Sequence, residues 1–237
     1  MIDVQNLGRT FKVGSEEVVA LKDVSLTVKP GQFIAVVGRS GSGKTTLLNL
    51  MAGLDKPSSG KILFEGKDLA TMSEKELTEI RRRKVGFVFQ SFGLLPLLSA
   101  WENVEFPLRI SGFPVKEREE RTRQALEMVG LVRRAKHRPY ELSGGEQQRV
   151  AIARAVVTRP PVIIADEPTG ELDSTNARSI FGLFKEMVHT QGVSVVASTH
   201  DAALLDMAGD IKHMKDGVVI AEHEYHAAHA ESTRFKK

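Results

Sequence analysis

Four short runs of consecutive apolar residues punctuate the chain: "FIAVVG" from Phe33, "VGFVF" from Val85, "PVIIAD" from Pro161 and "VSVVAST" from Val193. Runs of this length, rich in valine and isoleucine, predict strands of a parallel sheet covered on both faces, since a strand wet on one side would alternate. Between them the spacing changes. In "NARSIFGLFKEMVH", Ala177, Ile180, Phe181, Phe184, Met187 and Val188 fall on one helical face. Strands alternating with such helices predict a doubly wound α/β core. The first thirty residues behave differently: "VVALKDVSLTVKPG" alternates as antiparallel strands do, and "MKDGVVIAEH" carries an Asp216-Gly217 hairpin signal. Both segments are expected in a side sheet.

Between Phe92 and Val157 the strand runs stop and helical segments such as "VKEREERTRQALEMVGL" take over, which predicts a mostly helical insertion into the core. Within it, "ELSGGEQQRV" opens a helix in an uncommon way. Ser143 and Glu146 have the spacing of a capping box, yet Gly144 and Gly145 occupy the first turn, where each costs about 1 kcal/mol relative to alanine. A helix N-terminus offers free N–H groups and partial positive charge, and two missing β-carbons let an anion such as phosphate come close. The alternative is a capped glycine turn with no ligand.

A length of 237 residues suits one large α/β domain or a core with an inserted subdomain, and 41% hydrophobic content is ample for its packing. A formal net charge of +3 is too small an excess to argue for a nucleic-acid surface. The absence of cysteine excludes disulfides, thiolate metal sites and cysteine nucleophiles, and fits a reducing compartment. The opening residues lack a secretory pattern, and no apolar run approaches the roughly 18 residues of a membrane span, so a soluble chain is expected. The basic run Arg81 to Lys84 reads as a solvated face or as a contact for lipid headgroups or an acidic loop. His223, His226 and His229 lack carboxylate support and sit in a tail expected to fray, so no metal site is expected there.

The chemistry concentrates after the strand runs. "GRSGSGKT", from Gly38 to Thr45, lies between the strand "FIAVV" and the helix "TTLLNLMAG", the context that makes G-x-x-x-x-G-K-[ST] a specific phosphate-loop signature. Its amides are expected to wrap a triphosphate, with Lys44 on the β- and γ-phosphates and the Thr45 hydroxyl on Mg²⁺. "VIIADEP" ends a strand on Asp166, a second magnesium contact, with Glu167 beside it to orient or deprotonate an attacking water. His200 follows the strand "VSVVAST" at the carboxyl end, where open α/β sheets bind ligands; it reads as a helix cap, a core hydrogen bonder or a γ-phosphate sensor.

These residues resemble the ATP-binding cassette family, the ATPase subunits of ABC transporters. "GRSGSGKT" is similar to its Walker A motif, "LSGGEQQR" to its signature, "VIIADE" to its Walker B, Gln90 in "FVFQS" to its Q-loop, "ELD" at Glu171 to Asp173 to its D-loop and "STHD" to its histidine switch. The resemblance runs from about residue 1 to residue 222 in the family's order. It implies a RecA-like P-loop NTPase core at about 1–92 and 158–222, with an antiparallel β side sheet and a helical signature subdomain inserted at about 93–157. A polar tail would occupy 223–237.

It further implies that ATP is held by Gly38, Arg39, Ser40, Gly41, Ser42, Gly43, Lys44, Thr45 and Thr46, with Phe11 stacked on adenine where relatives more commonly carry tyrosine. Thr45, Gln90 and Asp166 would contact Mg²⁺, and Glu167, His200, Lys44 and Gln90 would serve catalysis. Ser143, Gly144 and Gly145 would bind the nucleotide of a second copy in a head-to-tail ATP sandwich, and Asp173 would connect the two sites. Glu171 departs from the small or amide residue common in relatives.

A narrower resemblance, carried by "FVFQSFGLLPLLSAWENVEFPL" and "ADEPTGELDS", points to the lipoprotein-releasing (LolD-type) and macrolide-exporter (MacB-type) branch. It implies an integral membrane permease docked near the Q-loop and helical subdomain, and a peripheral location on the cytoplasmic face of the inner membrane. The apolar segment with Trp101 and Phe106 is then either a docking patch or part of the subdomain's own core. Two other classes are weighed: a soluble cassette ATPase acting on ribosomes or DNA, which usually has two cassettes or a long coiled coil, and a P-loop kinase, which has no need of "LSGGEQQR".

Overall fold

In the computed structural model, which describes residues 1–224, the four apolar runs become neighbouring parallel strands. They are β3 (Phe33–Val37), β6 (Val85–Val88), β7 (Val162–Ala165) and β8 (Ser194–Thr199), after β1 (Ile2–Val13), β2 (Glu16–Val28), β4 (Ser59–Phe64) and β5 (Lys67–Asp68). With β9 (Asp210–Lys215) and β10 (Val218–Ile220) they build a six-stranded sheet of order β10-β9-β3-β8-β7-β6, parallel except for β10. The strands alternate between two cores. Phe33, Val88, Ile163, Ala165, Val195 and Ala197 face one cluster, and Ile34, Val36, Val162, Ile164 and Val196 face the other. Two-sided burial is why these strands read as continuous apolar runs.

The helices are α1 (Lys44–Met51), α2 (Glu74–Arg83), α3 (Ala100–Ile110), α4 (Val115–Met128), α5 (Gly144–Val156) and α6 (Ser174–Gln191). On α6, Ala177, Ile180, Phe181, Phe184 and Met187 are buried, while Val188 at the edge of that face is partly so. α3, α4 and α5 pack on one another, and their apolar faces join the cluster that includes Phe181 and Phe184. Trp101 packs partly buried against this cluster, whereas Leu95, Leu97 and Phe106 stay exposed.

The opening strands form the expected antiparallel side sheet, β2-β1-β4-β5. The late hairpin does not join it. Asp216 and Gly217, with φ of 47° and 81°, turn β9 into β10 as the dipeptide predicts, but β9 pairs parallel with β3 and so extends the main sheet. Buried His213 and Met214 anchor β9 there. The basic run resolves into the last turn of α2, where Arg82 and Arg83 pair with Glu79 and cations complement the helix dipole. His223 is exposed; His226 and His229 lie outside the described residues.

Candidate nucleotide site

The strand order brings the predicted chemistry to one edge. β3, β8, β7 and β6 are consecutive neighbours, and their carboxyl ends lead into Gly38, His200, Asp166 and Gln90. Parallel strands about 4.8 Å apart therefore deliver four loops to one crevice.

The phosphate loop is built around α1. Its N-cap, Gly43, has φ of 102°, a left-handed conformation that suits glycine, and carries no side chain to cap the helix. The first-turn amides of Lys44, Thr45 and Thr46 therefore have neither an intrahelical acceptor nor a cap, which is the arrangement that receives phosphate. Arg39, Ser40, Gly41 and Thr45 are exposed; Gly38 and Ser42 are buried, and Ser42 Oγ has no hydrogen-bond partner among the described residues. Lys44 is only 4% exposed. Its ammonium donates to the Gly38 carbonyl at 2.8 Å and the Arg39 carbonyl at 3.1 Å, and pairs with Glu167 Oε1 at 3.1 Å.

Glu167 is the centre of the cluster. Its other oxygen lies 3.4 Å from His200 Nδ1, and its backbone has φ of 41°, a left-handed conformation uncommon for a residue with a β-carbon. Such strain concentrates at functional sites and costs about 1–3 kcal/mol. Ser198, which sequence reasoning passed over, holds it: the buried Ser198 hydroxyl accepts from the Glu167 N–H at 2.8 Å and donates to Asp166 Oδ1 at 2.8 Å. One hydroxyl thus fixes both carboxylate residues. Gln90 is exposed and its side chain lies against Gly170, where an added β-carbon would come within 3.3 Å of Nε2.

The Ser143 cap forms as the spacing predicts. Glu146 N–H donates to Ser143 Oγ at 3.3 Å and Ser143 N–H donates to Glu146 Oε2 at 2.9 Å. That second bond, with Arg134 beside it, holds the Glu146 carboxyl below the usual carboxylate range. The two glycines differ. A β-carbon on Gly144 would make only ordinary contacts with Leu172 and Phe92 at 3.7 Å, but one on Gly145 would stand 2.8 Å from Asn176 Oδ1. Gly145 is therefore also a packing glycine, letting α5 meet the first turn of α6. Asp173 caps that turn, accepting from the Asn176 N–H at 2.9 Å and the Asn176 side-chain amide at 2.7 Å, and the same amide ties Asp173 to Arg149 of α5. Asn176 and Arg149 were not legible as partners because neither belongs to a phosphate or metal pattern.

Phe11 sits partly buried on β1 under the guanidinium of Arg9, whose carbon is 4.3 Å from the ring centroid.

A phosphate loop beside the adjacent carboxylates of Asp166 and Glu167, on a sheet carrying an inserted helical arm, defines a P-loop nucleotide hydrolase. The chain belongs to the ABC transporter family, which its residues 21–170 match, and it is that family's ATP-binding cassette ATPase. It is 46% identical over 226 residues to the uncharacterized ABC transporter ATP-binding protein MJ0796 of Methanocaldococcus jannaschii, covering 94% of this chain and 96% of that one. It is 42% identical over 224 residues to the macrolide export ATP-binding/permease protein MacB of Syntrophobacter fumaroxidans, covering 94% of this chain and 31% of that longer protein. A solved dimeric structure of MJ0796 in a post-hydrolysis state, bound to ADP and Pi, superposes with a TM-score of 0.87 at 44% identity, covering 93% of this chain and 97% of that one. Nothing in these likenesses favours a soluble ATPase acting on ribosomes or DNA. Among the described residues no helix is long and apolar enough to cross a membrane.

Proposed function

We propose that two copies of this chain close head to tail on two ATP molecules and transmit that closure to a membrane permease of the MacB-associated type. The observation that carries the reading is the division of the site. Glu167 touches both Lys44 and His200, while the Ser143 helix end is bordered by Phe92, Leu172 and Asn176. A phosphate-binding helix end without a lysine of its own is completed by the lysine of a second copy, and two-fold symmetry then uses both half-sites twice.

In that reading the amides from Gly38 to Thr46 hold the triphosphate, and Phe11 stacks on adenine. Lys44 exchanges Glu167 for the phosphates, freeing Glu167 to orient and deprotonate the attacking water, with His200 sensing the γ-phosphate. Thr45, Gln90 and Asp166 supply oxygen donors, which fit a hard cation such as Mg²⁺. When bound, Mg²⁺ would neutralise phosphate charge. Ser143, Gly144 and Gly145 cap the γ-phosphate of the partner's ATP, and the Asp173 turn, stitched to α5 through Asn176, relays closure between sites. Closure acts on the permease only through differential affinity for its two states. The exposed Leu95 and Leu97, soon after Gln90, and Phe106 on α3 offer the permease apolar side chains, and the chain then works as a peripheral subunit at the cytoplasmic face of the membrane.

Affinity capture of tagged Glu167→Gln from detergent-solubilised native membranes, with ATP and Mg²⁺, tests the partner. A stoichiometric polytopic protein with an extracytoplasmic domain is expected. Ribosomal proteins or DNA-repair factors in its place would overturn the reading.

A further inference from the structure

Phe11 stands on a part of the side sheet with little to hold it. β1 pairs with β4 only as far as Gly8, and from Arg9 to Val13 it pairs with β2 alone among the described residues. A two-stranded ribbon is marginal in water, and this one leaves Val13, Val18 and Val19 exposed. Its base is tied to the segment that leaves α1. The Arg9 Nε and Nη2 groups each donate to a different oxygen of Asp55 at 2.9 Å, and the Thr10 N–H donates to Ser58 Oγ at 3.1 Å. The same guanidinium, oriented by its two-point pair, covers one face of the Phe11 ring.

The ribbon also runs beside the phosphate loop. A β-carbon on Gly43 would meet the Ala20 carbonyl at 2.6 Å and Leu21 Cδ2 at 2.9 Å. Val18, the partner of Phe11 on β2, precedes Ala20 by two residues, roughly 7 Å along the strand.

We propose that Arg9, fixed by Asp55, is a positioning residue for the nucleobase: it closes one face of the Phe11 ring and sets the angle of the ribbon, so that the base stacks on the other face. This rests on the reading of Phe11 as the stacking residue. A planar cation over an aromatic face is attracted by the ring quadrupole and keeps water off it. Because Asp55 lies beyond the C-terminal end of α1, the clamp joins the base platform to the helix whose N-terminal amides face the phosphates. Base and phosphate sites are then held at one spacing.

The test compares binding of ATP and of inorganic tripolyphosphate, both with Mg²⁺, by calorimetry. Arg9→Gln is expected to weaken ATP about fivefold while leaving tripolyphosphate, which has no base, unchanged. Asp55→Asn is expected to act in the same direction, and Arg9→Lys to restore affinity only in part, because lysine makes neither the two-point pair nor the flat stack. If Phe11→Ala weakens ATP and Arg9→Gln does not, the role of Arg9 is overturned and base stacking stands. If Phe11→Ala leaves ATP affinity unchanged, the stacking reading fails and the inference with it. Equal loss of both ligands in Arg9→Gln would mean a disturbed phosphate loop and would also overturn the positioning role.

Discussion

At the scale of single residues, the site depends on a buried serine as much as on its charged groups. Glu167 holds a left-handed backbone and faces a lysine and a histidine at once, an arrangement that persists only if its neighbours over-determine it. Ser198 supplies one of those constraints directly and, with the same hydroxyl, holds the adjacent Asp166 carboxylate. Ser198→Ala leaves the partly buried Glu167 N–H, two residues past β7, without its acceptor, a cost of about 1–3 kcal/mol. Steady-state ATPase assays of that variant are expected to show kcat reduced about tenfold or more with KM for ATP little changed. A native kcat would mean that the two carboxylates need no such support. Lys44, Asp166, Glu167 and His200 were legible in the sequence because each follows an apolar strand inside a spacing that phosphate chemistry explains. Ser198 was not, since one serine at the end of "VSVVAST" looks the same whether it bonds a neighbour or merely ends a strand.

The elements show where local pattern suffices. Strands buried on both faces and the α6 stripe were readable because burial imposes a period on the side chains. α2 leaves no such period: in "EKELTEIRRR" only Leu77 is fully buried, so charge hides its stripe, although Ser73 and Glu76 form the same capping box as Ser143 and Glu146. The Asp216-Gly217 dipeptide specifies the turn of the late hairpin but not its sheet, which is the main one and not the side sheet expected from the sequence. Alternation specifies a strand's faces and its turn, but which edge it joins depends on β3, far away in sequence. The same distance hides the contact of Gly145 with Asn176, which separates the roles of the two glycines. Gly145→Ala must displace the Asn176 side chain from its bonds to Asp173 and Arg149 and is expected to cost about 1–2 kcal/mol relative to Gly144→Ala, which meets only ordinary contacts. Calorimetric melting of the two variants is expected to place Gly145→Ala several degrees below Gly144→Ala. Equal melting temperatures would show that the close approach to Asn176 carries no energy.

For the whole molecule, one chain supplies a lysine-bearing phosphate loop and a separate capped helix end, and the account requires that the two meet between copies. Mixing two inactive variants tests this most directly. Lys44→Ala keeps the Ser143 cap and loses the lysine; Ser143→Arg keeps the lysine and blocks the cap. In a head-to-tail dimer a mixed pair contains one complete site, formed by Lys44 of one copy and Ser143 of the other. Each variant alone is expected to lack ATP turnover, and an equimolar mixture to recover about a quarter of the native rate, since half the dimers are mixed and each has one of two sites intact. A mixture as inactive as its components, or a Ser143→Arg protein that turns over ATP at the native rate by itself, would contradict the shared site.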